Sequence, residues 1–317
     1  MMMAKHDRPA AGTAGRTGPF LPGGEKPSFS APLLRRLLDL LSPAPARCIM
    51  CGKPYRPGVP NSQGIYATSS LPPDAFPRGW QDSLCRPCKA GIPWIRKTAC
   101  PVCGRPEQCG DCRRRTNGGL LRNRSSVRYD SFMKELLARY KYKGDEALLP
   151  LLGAMLLPAY EQLASDALGM RAGQGLSRPA FDLIAYVPVS PERLRERGFN
   201  QAERLAHRLG MHVGLPVADL LRRREERGKM SSKSRSERLQ ASESLFSASA
   251  EAETLLQAAA LNRASYPGAS PSSVAPLSLL IVDDIYTTGG TLDGCANALH
   301  AASPVPLDIR SLAWARA

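Results

Sequence analysis

The 317-residue sequence lacks the features that mark exported and membrane-spanning chains. Its longest apolar stretch, residues 148–160, contains Pro150 and Pro158 and is shorter than the ~20 residues that cross a bilayer. The first 21 residues are rich in Gly, Pro and charge, and they contain no apolar signal core. Aromatic residues are scarce, at 6%, but a hydrophobic content of 43% is typical of a globular protein. We therefore expect a cytoplasmic protein of about two domains that does not insert into a membrane.

Acidic residues are also in short supply, and the formal net charge is +15. The excess of Lys and Arg is concentrated in residues 47–128, with a net charge of +11, and in residues 221–240, with a net charge of +5. Such a distribution indicates a protein that meets polyanions or phosphates. The alternative is a solvated surface that keeps the protein soluble.

Cysteine is abundant in one region only, where eight of the nine cysteines form four Cys-x-x-Cys pairs and no histidine lies among them. Two such pairs complete a tetrahedral zinc site. A disulfide framework conflicts with the missing export signal, a thioredoxin-like motif needs one pair beside a strand–helix unit, and iron–sulfur clusters use other spacings. We expect two structural Zn²⁺ ions, paired sequentially or cross-braced. The expected ligands are Cys48, Cys51, Cys85, Cys88, Cys100, Cys103, Cys109 and Cys112.

The chain divides into three parts by composition. Residues 1–46 are predicted to be a disordered basic segment, residues 47–115 a double zinc-binding module, and residues 116–317 an α/β domain. Within that domain, residues 248–276 are rich in Ala, Ser and Pro and are predicted to be a flexible insertion.

Short apolar runs alternate with helical patterns in the last part of the chain, and this alternation predicts a parallel sheet flanked by helices. The expected strands are residues 181–189, 215–221, 278–285 and 306–315. The expected helices are residues 132–140, 146–163, 200–209 and 291–302.

One expected strand ends in the adjacent carboxylates Asp283 and Asp284 and continues into a loop that opens a helix. Ligands of open α/β sheets bind at the carboxyl ends of strands, and N–H groups at a helix start bind phosphate. Two adjacent acids accept hydrogen bonds from vicinal sugar hydroxyls, so the pattern indicates a ribose 5-phosphate pocket. The alternative is a structural corner in which the acids cap the helix. The phosphate-binding candidates are Thr287, Thr288, Gly289, Gly290 and Thr291.

This segment resembles the signature of type I phosphoribosyltransferases, with Tyr286 where many members carry an aliphatic residue. The run from Val187 to Val189, followed by Arg193 and by residues 197–202, is similar to the block that marks the ComF family of late competence proteins. Further similar blocks are residues 100–105, 122–125, 141–145 and 233–238. Together the blocks span residues 47–317.

The resemblance implies a zinc-ribbon module joined to a type I phosphoribosyltransferase-like domain. It also implies a role in the uptake and processing of single-stranded DNA during natural transformation, beside a helicase-like competence protein at the inner face of the membrane. The pocket would hold phosphoribosyl pyrophosphate with Mg²⁺, or a nucleotide. The alternative function is an active phosphoribosyltransferase of nucleotide salvage that uses an unidentified base, although no base-binding hood is recognisable.

Basic side chains are the candidates for contacts with the anionic ligands. A departing pyrophosphate requires cations, which Arg193 and Arg197, and Lys233 and Arg235 of a basic loop, would supply. The alternatives are a helix face paired with acids and a plain solvated loop. For single-stranded DNA, the expected contacts are Arg113, Arg114, Arg115, Arg122 and Arg124.

Overall fold

The computed structural model describes residues 45–56, 83–112, 119–169, 179–224, 245–264 and 276–317. The predictions for residues 1–44 and for Arg113, Arg114, Arg115, Lys233 and Arg235 lie outside these residues. The strands are β1 (Ala46–Arg47), β2 (Pro54–Tyr55), β3 (Arg122–Arg128), β4 (Leu183–Tyr186), β5 (Leu221–Arg223), β6 (Phe246–Ala248), β7 (Leu277–Tyr286) and β8 (Leu307–Arg316). The helices are α1 (Arg86–Gly91), α2 (Ser131–Tyr142), α3 (Leu149–Met155), α4 (Leu157–Gly169), α5 (Pro191–Arg197), α6 (Gln201–Val213), α7 (Ala252–Ala264) and α8 (Gly290–Ala302).

A four-stranded sheet in the order β3-β8-β7-β4 forms the centre of the fold, and all neighbouring strands are parallel. Helices cover both faces of such a sheet, so its central strands are continuous apolar runs, as β7 is from Leu279 to Val282. The parallel sheet flanked by helices is therefore confirmed. Because the strands are parallel, the residues that follow β3, β4 and β7 lie on the same side of the sheet, at the carboxyl ends of the strands.

Two parts of the sheet differ from the sequence prediction. Residues 122–128 form β3, although they carry almost no apolar pattern, because hydrogen bonds and ion pairs within the fold hold Asn123 and Arg124. Asn123 Nδ2 donates to the Cys103 carbonyl at 3.1 Å, and Ser311 Oγ donates to Asn123 Oδ1 at 2.9 Å. The strand expected at residues 215–221 is reduced to a single parallel bridge at Val217 and to β5.

The expectation of a flexible insertion is wrong for residues 252–264, which form α7. This helix packs against β7 and α8, and it buries Ala252 and Leu256 completely. Near the end of α7, the Arg263 guanidinium is 3.3 Å from the Asp182 carboxylate, and both side chains are almost fully buried. The Ala-rich composition hid this helix because alanine is a strong helix former that supplies little hydrophobic contrast between faces.

The 24-residue stretch Glu146–Gly169, which includes α3 and α4, is by length and composition long and apolar enough to cross a membrane. Pro150 and Pro158 do not end it, because each lies in the first turn of a helix, where proline removes no hydrogen bond. More than half of its apolar window is buried inside the protein, and α4 packs against β3 and β8. This is the environment of a core helix.

The cysteine-rich residues are hydrogen-bonded along the outer edge of β3. Trp94 forms an antiparallel bridge with Val127, and the Ile95 N–H donates to the Ser126 carbonyl at 2.9 Å. On the same strand, the Asn123 N–H donates to the carbonyl of Val102 at 2.7 Å. The cysteine-rich region thereby covers an edge that would otherwise expose unpaired backbone groups, and both regions belong to one compact unit.

Candidate functional site

Four cysteine sulfurs converge at each of two places, and the grouping is sequential along the chain. Within each group the sulfurs lie within 4.8 Å of one another. The Sγ atoms of Cys51 and Cys85 are 3.7 Å apart, as are those of Cys103 and Cys109. A tetrahedron with Zn–S bonds of ~2.3 Å places its sulfurs ~3.8 Å apart, so both groups have the donors and spacing of a zinc site. The groups are Cys48, Cys51, Cys85 and Cys88, and Cys100, Cys103, Cys109 and Cys112.

A glycine directly after a cysteine pair shapes each cluster. Gly52 and Gly104 have φ values of +71° and +69°, in the left-handed region that glycine adopts without strain. The Gly52 N–H donates to the Cys48 carbonyl at 2.7 Å, and the Gly104 N–H donates to the Cys100 carbonyl at 3.1 Å. The tight turn that results directs both sulfurs of a pair toward one point.

The thiols of the first cluster influence one another. Burial raises the pKa of Cys88, and the other cysteines of its cluster raise it further. Burial also disfavours the Cys48 thiolate, but backbone N–H groups, that of Cys85 foremost, lower the pKa of Cys48 to about 7. A cation such as Zn²⁺ would favour the thiolate form of these cysteines, which is the form that binds metal. Cys295 lies apart, fully buried on α8, and burial raises its pKa.

The two acids of the sugar-binding candidate lie near the carboxyl end of β7, and a lysine from another element contacts them. Asp283 is 8% exposed, and its Oδ1 accepts the Asp284 N–H at 2.7 Å. Asp284 Oδ2 is 2.6 Å from the Nζ atom of Lys141, near the end of α2. The side chains of this ion pair are only 18% and 11% exposed. The protein therefore supplies its own cation, Lys141, to the pair Asp283 and Asp284, which is called the diacid below.

The two acids differ in charge. Burial, followed by the negative charge of Asp284, raises the pKa of Asp283 to about 8. The Asp284 N–H and the positive charges of Lys141 and Arg223 oppose this rise only in part. Asp283 is thus mostly protonated at pH 7, while Asp284 is matched by Lys141. The pair presents little net negative charge to a ligand that carries phosphate.

The candidate phosphate-binding residues follow the diacid directly. The chain turns into α8 at Gly289, and no side chain caps this end of the helix in the described part of the chain. Its first N–H groups are therefore available to an anion. Thr287 and Thr288 are exposed, and Thr291 is half-buried in the first turn. All the predicted sugar- and phosphate-binding residues therefore lie at the carboxyl end of β7 and in the turn that leads into α8.

The loop after β4 is fixed beside β7. The Val187 N–H donates to the Val282 carbonyl at 3.0 Å, and the Val187 carbonyl accepts Asn200 Nδ2 at 3.1 Å. Asn200 also caps α6, because its Oδ1 accepts the Ala202 N–H at 3.0 Å. One asparagine therefore joins this loop to the helix that packs on the sheet.

The two described pyrophosphate candidates, Arg193 and Arg197, both lie on α5. Arg193 has an exposed side chain. Its backbone N–H donates to Oγ of Ser190, the residue that caps α5, at 3.3 Å. Arg197 is engaged: Nη1 donates to Gln201 Oε1 at 2.8 Å, and Nη2 donates to the Tyr142 hydroxyl at 2.9 Å. A ligand that used the Arg197 guanidinium would have to share it with these partners.

The candidate DNA contacts Arg122 and Arg124 lie within β3. Arg124 is 6% exposed, and its guanidinium donates to Asp166 Oδ2 at 2.7 Å and to the Pro101 carbonyl at 3.1 Å. Arg122 Nη1 is 3.1 Å from the same Asp166 oxygen and remains 30% exposed. The burial and full engagement of Arg124 argue against the prediction that it contacts DNA. Its observed role is to hold the cysteine-rich region and α4 on the sheet.

Comparison with known proteins decides the family. No known protein-family profile matches the chain. The chain is similar to competence protein ComFC of Bacillus subtilis, with 30% identity over 227 residues, which are 69% of this chain and 78% of that protein. It belongs to the ComFC family of competence proteins. Competence protein ComFC of Streptococcus pneumoniae is 28% identical over 260 residues, 81% of this chain and 94% of that protein.

The family resemblance drawn from the sequence blocks is therefore confirmed, and one of the blocks reaches the diacid. The block at residues 141–145 contributes Lys141, which sequence analysis quoted for the ComF resemblance without assigning it to the diacid. The block at residues 197–202 contains Arg197, which donates to the Tyr142 hydroxyl, and Asn200, which donates to the Val187 carbonyl. Tyr286, the departure from the phosphoribosyltransferase signature, is buried with the Arg316 guanidinium 4.5 Å above its ring.

Proposed function

We propose that this chain acts in the uptake and processing of single-stranded DNA during natural transformation and binds phosphoribosyl pyrophosphate or a nucleotide at the diacid. Membership of the ComFC family supports the competence role. The observation that carries the pocket is the Lys141–Asp284 ion pair beside the buried Asp283, directly before the uncapped end of α8. We place the protein in the cytoplasm, at the inner face of the membrane, beside a helicase-like competence protein.

In the proposed complex, each group of the ligand contacts a different part of the site. The 5-phosphate lies on residues 287–291, where N–H groups and threonine hydroxyls donate to it. The vicinal ribose hydroxyls contact Asp283 and Asp284. Since one acid is protonated and the other is paired with Lys141, Mg²⁺ would come with the pyrophosphate of the ligand, whose oxygens it prefers.

The test is calorimetry of the full chain with phosphoribosyl pyrophosphate, ribose 5-phosphate and a nucleoside monophosphate, with and without Mg²⁺. The double variant Asp283→Ala, Asp284→Ala should bind at least about 10-fold more weakly, because the lost hydrogen bond to the charged Asp284 alone costs about 1.5–3 kcal/mol. Little repulsion is relieved in return, since the wild-type pair is nearly neutral. Mg²⁺ should strengthen the binding of phosphoribosyl pyrophosphate alone.

The matched control is Glu253→Ala, which removes an exposed carboxylate on α7. It should bind all three ligands as wild type does. Equal binding by the double variant and wild type, or no binding of any of the three to wild type, contradicts the pocket.

Catalysis is the second candidate, and a separate assay decides it. Transfer would break the bond between ribose C1 and the pyrophosphate oxygen, form a bond from C1 to a base nitrogen, and release pyrophosphate and a proton. We would incubate the full chain with phosphoribosyl pyrophosphate, Mg²⁺ and each nucleobase in turn, and measure pyrophosphate. Base-dependent release assigns an enzyme of nucleotide salvage, whereas ligand binding without release assigns a binding role.

A further inference from the structure

Tyr142, the last residue of α2, exposes 67% of its surface although it is a large aromatic residue. The other tyrosine of this helix, Tyr140, is fully buried and packs edge-on against Phe199, with ring centroids 5.2 Å apart. Tyr140 therefore belongs to the core, whereas core packing does not account for the ring of Tyr142.

The exposed ring is nevertheless held in place. The Arg197 guanidinium lies 4.8 Å from the centroid of the Tyr142 ring, and its Nη2 donates to the Tyr142 hydroxyl at 2.9 Å. A ring fixed in this way loses little conformational freedom when it binds a ligand. The guanidinium also adds positive charge beside a ring that bases stack on.

The backbone that carries the ring is also close to the diacid, because the neighbouring Lys141 pairs with Asp284 at 2.6 Å. One residue step and an extended lysine side chain place the Tyr142 backbone within about 13 Å of that carboxylate. A ribose with its base, together with the tyrosine side chain, covers such a span. Tyr129, which follows β3 at the carboxyl end of the sheet, borders this space: burial raises its pKa, and the negative charge of Asp284 raises it further.

We propose that Tyr142 stacks on the nucleobase of a ribonucleotide whose ribose is held by Asp283 and Asp284. The proposal rests on the proposed function and names the ligand class of that site: a nucleotide that carries its base, in preference to a bare sugar phosphate. The base of single-stranded DNA has the same stacking chemistry. Deoxyribose lacks the 2′-hydroxyl, however, so it cannot offer both acids a vicinal diol, and the geometry favours the ribonucleotide.

The experiment is calorimetry of the full chain with adenosine 5′-monophosphate, 2′-deoxyadenosine 5′-monophosphate and ribose 5-phosphate. Wild type should bind the ribonucleotide at least about 10-fold more tightly than ribose 5-phosphate, the scale of one base–aromatic stack. Tyr142→Ala should remove this advantage and leave the affinity for ribose 5-phosphate unchanged. The deoxynucleotide should bind more weakly than the ribonucleotide in both proteins.

Two further variants separate stacking from a structural role. Tyr142→Trp retains an aromatic face and should keep the advantage, and its additional fluorescence should be quenched by the ribonucleotide but not by ribose 5-phosphate. Leu261→Ala removes an equally exposed apolar side chain on α7 and should change nothing.

Each contrary outcome is distinct. Equal affinities of wild type for the ribonucleotide and ribose 5-phosphate overturn this inference and leave the sugar-phosphate pocket standing. Tyr142→Ala weakening both ligands equally also overturns it, since the residue would then only support the fold. No binding of any ligand overturns it together with the proposed function. If Tyr142→Ala weakens binding of a thymidine oligonucleotide but not of the ribonucleotide, the base comes from DNA and the proposal is wrong.

Discussion

At the scale of single residues, two neighbouring aspartates in one strand have different electrical roles. Asp283 is buried and mostly protonated at pH 7, so its carboxyl can donate one hydrogen bond as well as accept others. Asp284 is less buried, with 18% of its side chain exposed, and it is paired with Lys141. A sugar diol that meets this pair finds both a donor and an acceptor, and a phosphate nearby meets little repulsion.

The first residue-scale prediction concerns pH. The pKa of Asp283 is about 3.8 ordinarily and about 8 in the folded chain, so its contribution to stability is fully present below pH 4 and is lost as pH rises through about 8. Asp283→Asn keeps the size of the side chain and does not titrate. Between about pH 5 and about pH 9, the melting temperature of wild type should fall by roughly 3 °C or more relative to this variant.

Circular-dichroism melts of both proteins at each pH measure this difference. Because the cysteine clusters are the same in both, their own pH dependence cancels. Glu253→Gln, an exposed site on α7, should show a constant difference from wild type. A constant difference for Asp283→Asn as well would mean that Asp283 titrates in the ordinary range.

At the scale of elements, the two cysteine clusters are built from short local pieces. Cys48 and Cys51 lie on a turn between β1 and β2, whereas Cys85 and Cys88 lie at the start of α1. Each piece presents two sulfurs, and the tertiary fold then brings two pieces together. Local spacing therefore predicts the ligands, and only the packing of the pieces determines that the pairing is sequential.

We expect two zinc ions per chain and independent clusters. Cys88→Ser should lower the zinc content of the purified protein to about one ion, because a structural site needs all four ligands. Cys295→Ser should retain two ions, since that thiol is buried on α8 away from both clusters. Metal analysis with thiol titration measures this. Wild type with no metal and free thiols, or loss of both ions in Cys88→Ser, would contradict the assignment.

The elements themselves were predictable where the hydrophobic pattern was strong. Helix α2 and strands β7 and β8 were predicted to within two residues at each end, because their apolar residues recur with the period of their structure. Strand β3 and helix α7 were missed. The first is polar and depends on partners such as Asp166, and the second is rich in alanine, so neither shows a periodic contrast between faces.

At the scale of the whole molecule, positive charge is the property that bears on DNA. Residues 47–128 carry a net charge of +11, and two zinc–thiolate sites of formal charge −2 each lower it to +7. Arg124 contributes to this count but is buried against Asp166, so part of the charge serves the fold. The other Lys and Arg residues of this region are the candidates for contacts with a polyanion.

Binding to single-stranded DNA should therefore depend on position within the basic region. The triple variant Arg113→Ala, Arg114→Ala, Arg115→Ala should weaken binding of a thymidine oligonucleotide and lower its salt slope by about 2, since each phosphate contact contributes ~0.7 on single strands. Arg124→Met should lower stability but leave the slope unchanged, because its guanidinium is buried. Fluorescence anisotropy across a salt series measures both.

Arg204→Ala is the matched control, because this arginine is paired with Glu146 and lies outside both basic regions. Its salt slope should equal that of wild type. If the triple variant keeps the wild-type slope, or Arg124→Met loses as much slope as the triple variant, the DNA-binding surface lies elsewhere.

Features that are built by neighbouring residues were predictable from the sequence alone. Cysteine pairs two residues apart, and two acids followed by a Thr/Gly loop, have their chemistry within a few residues, so spacing alone predicts metal ligands and a phosphate corner. The packing of distant elements determines which charged side chains are buried or paired with an opposite charge. Lys141 of α2 pairs with Asp284 of β7, and Arg124 is buried because α4 carries Asp166 to β3. Burial and charge pairing depend on residues far apart in the chain, and composition does not record which of them meet.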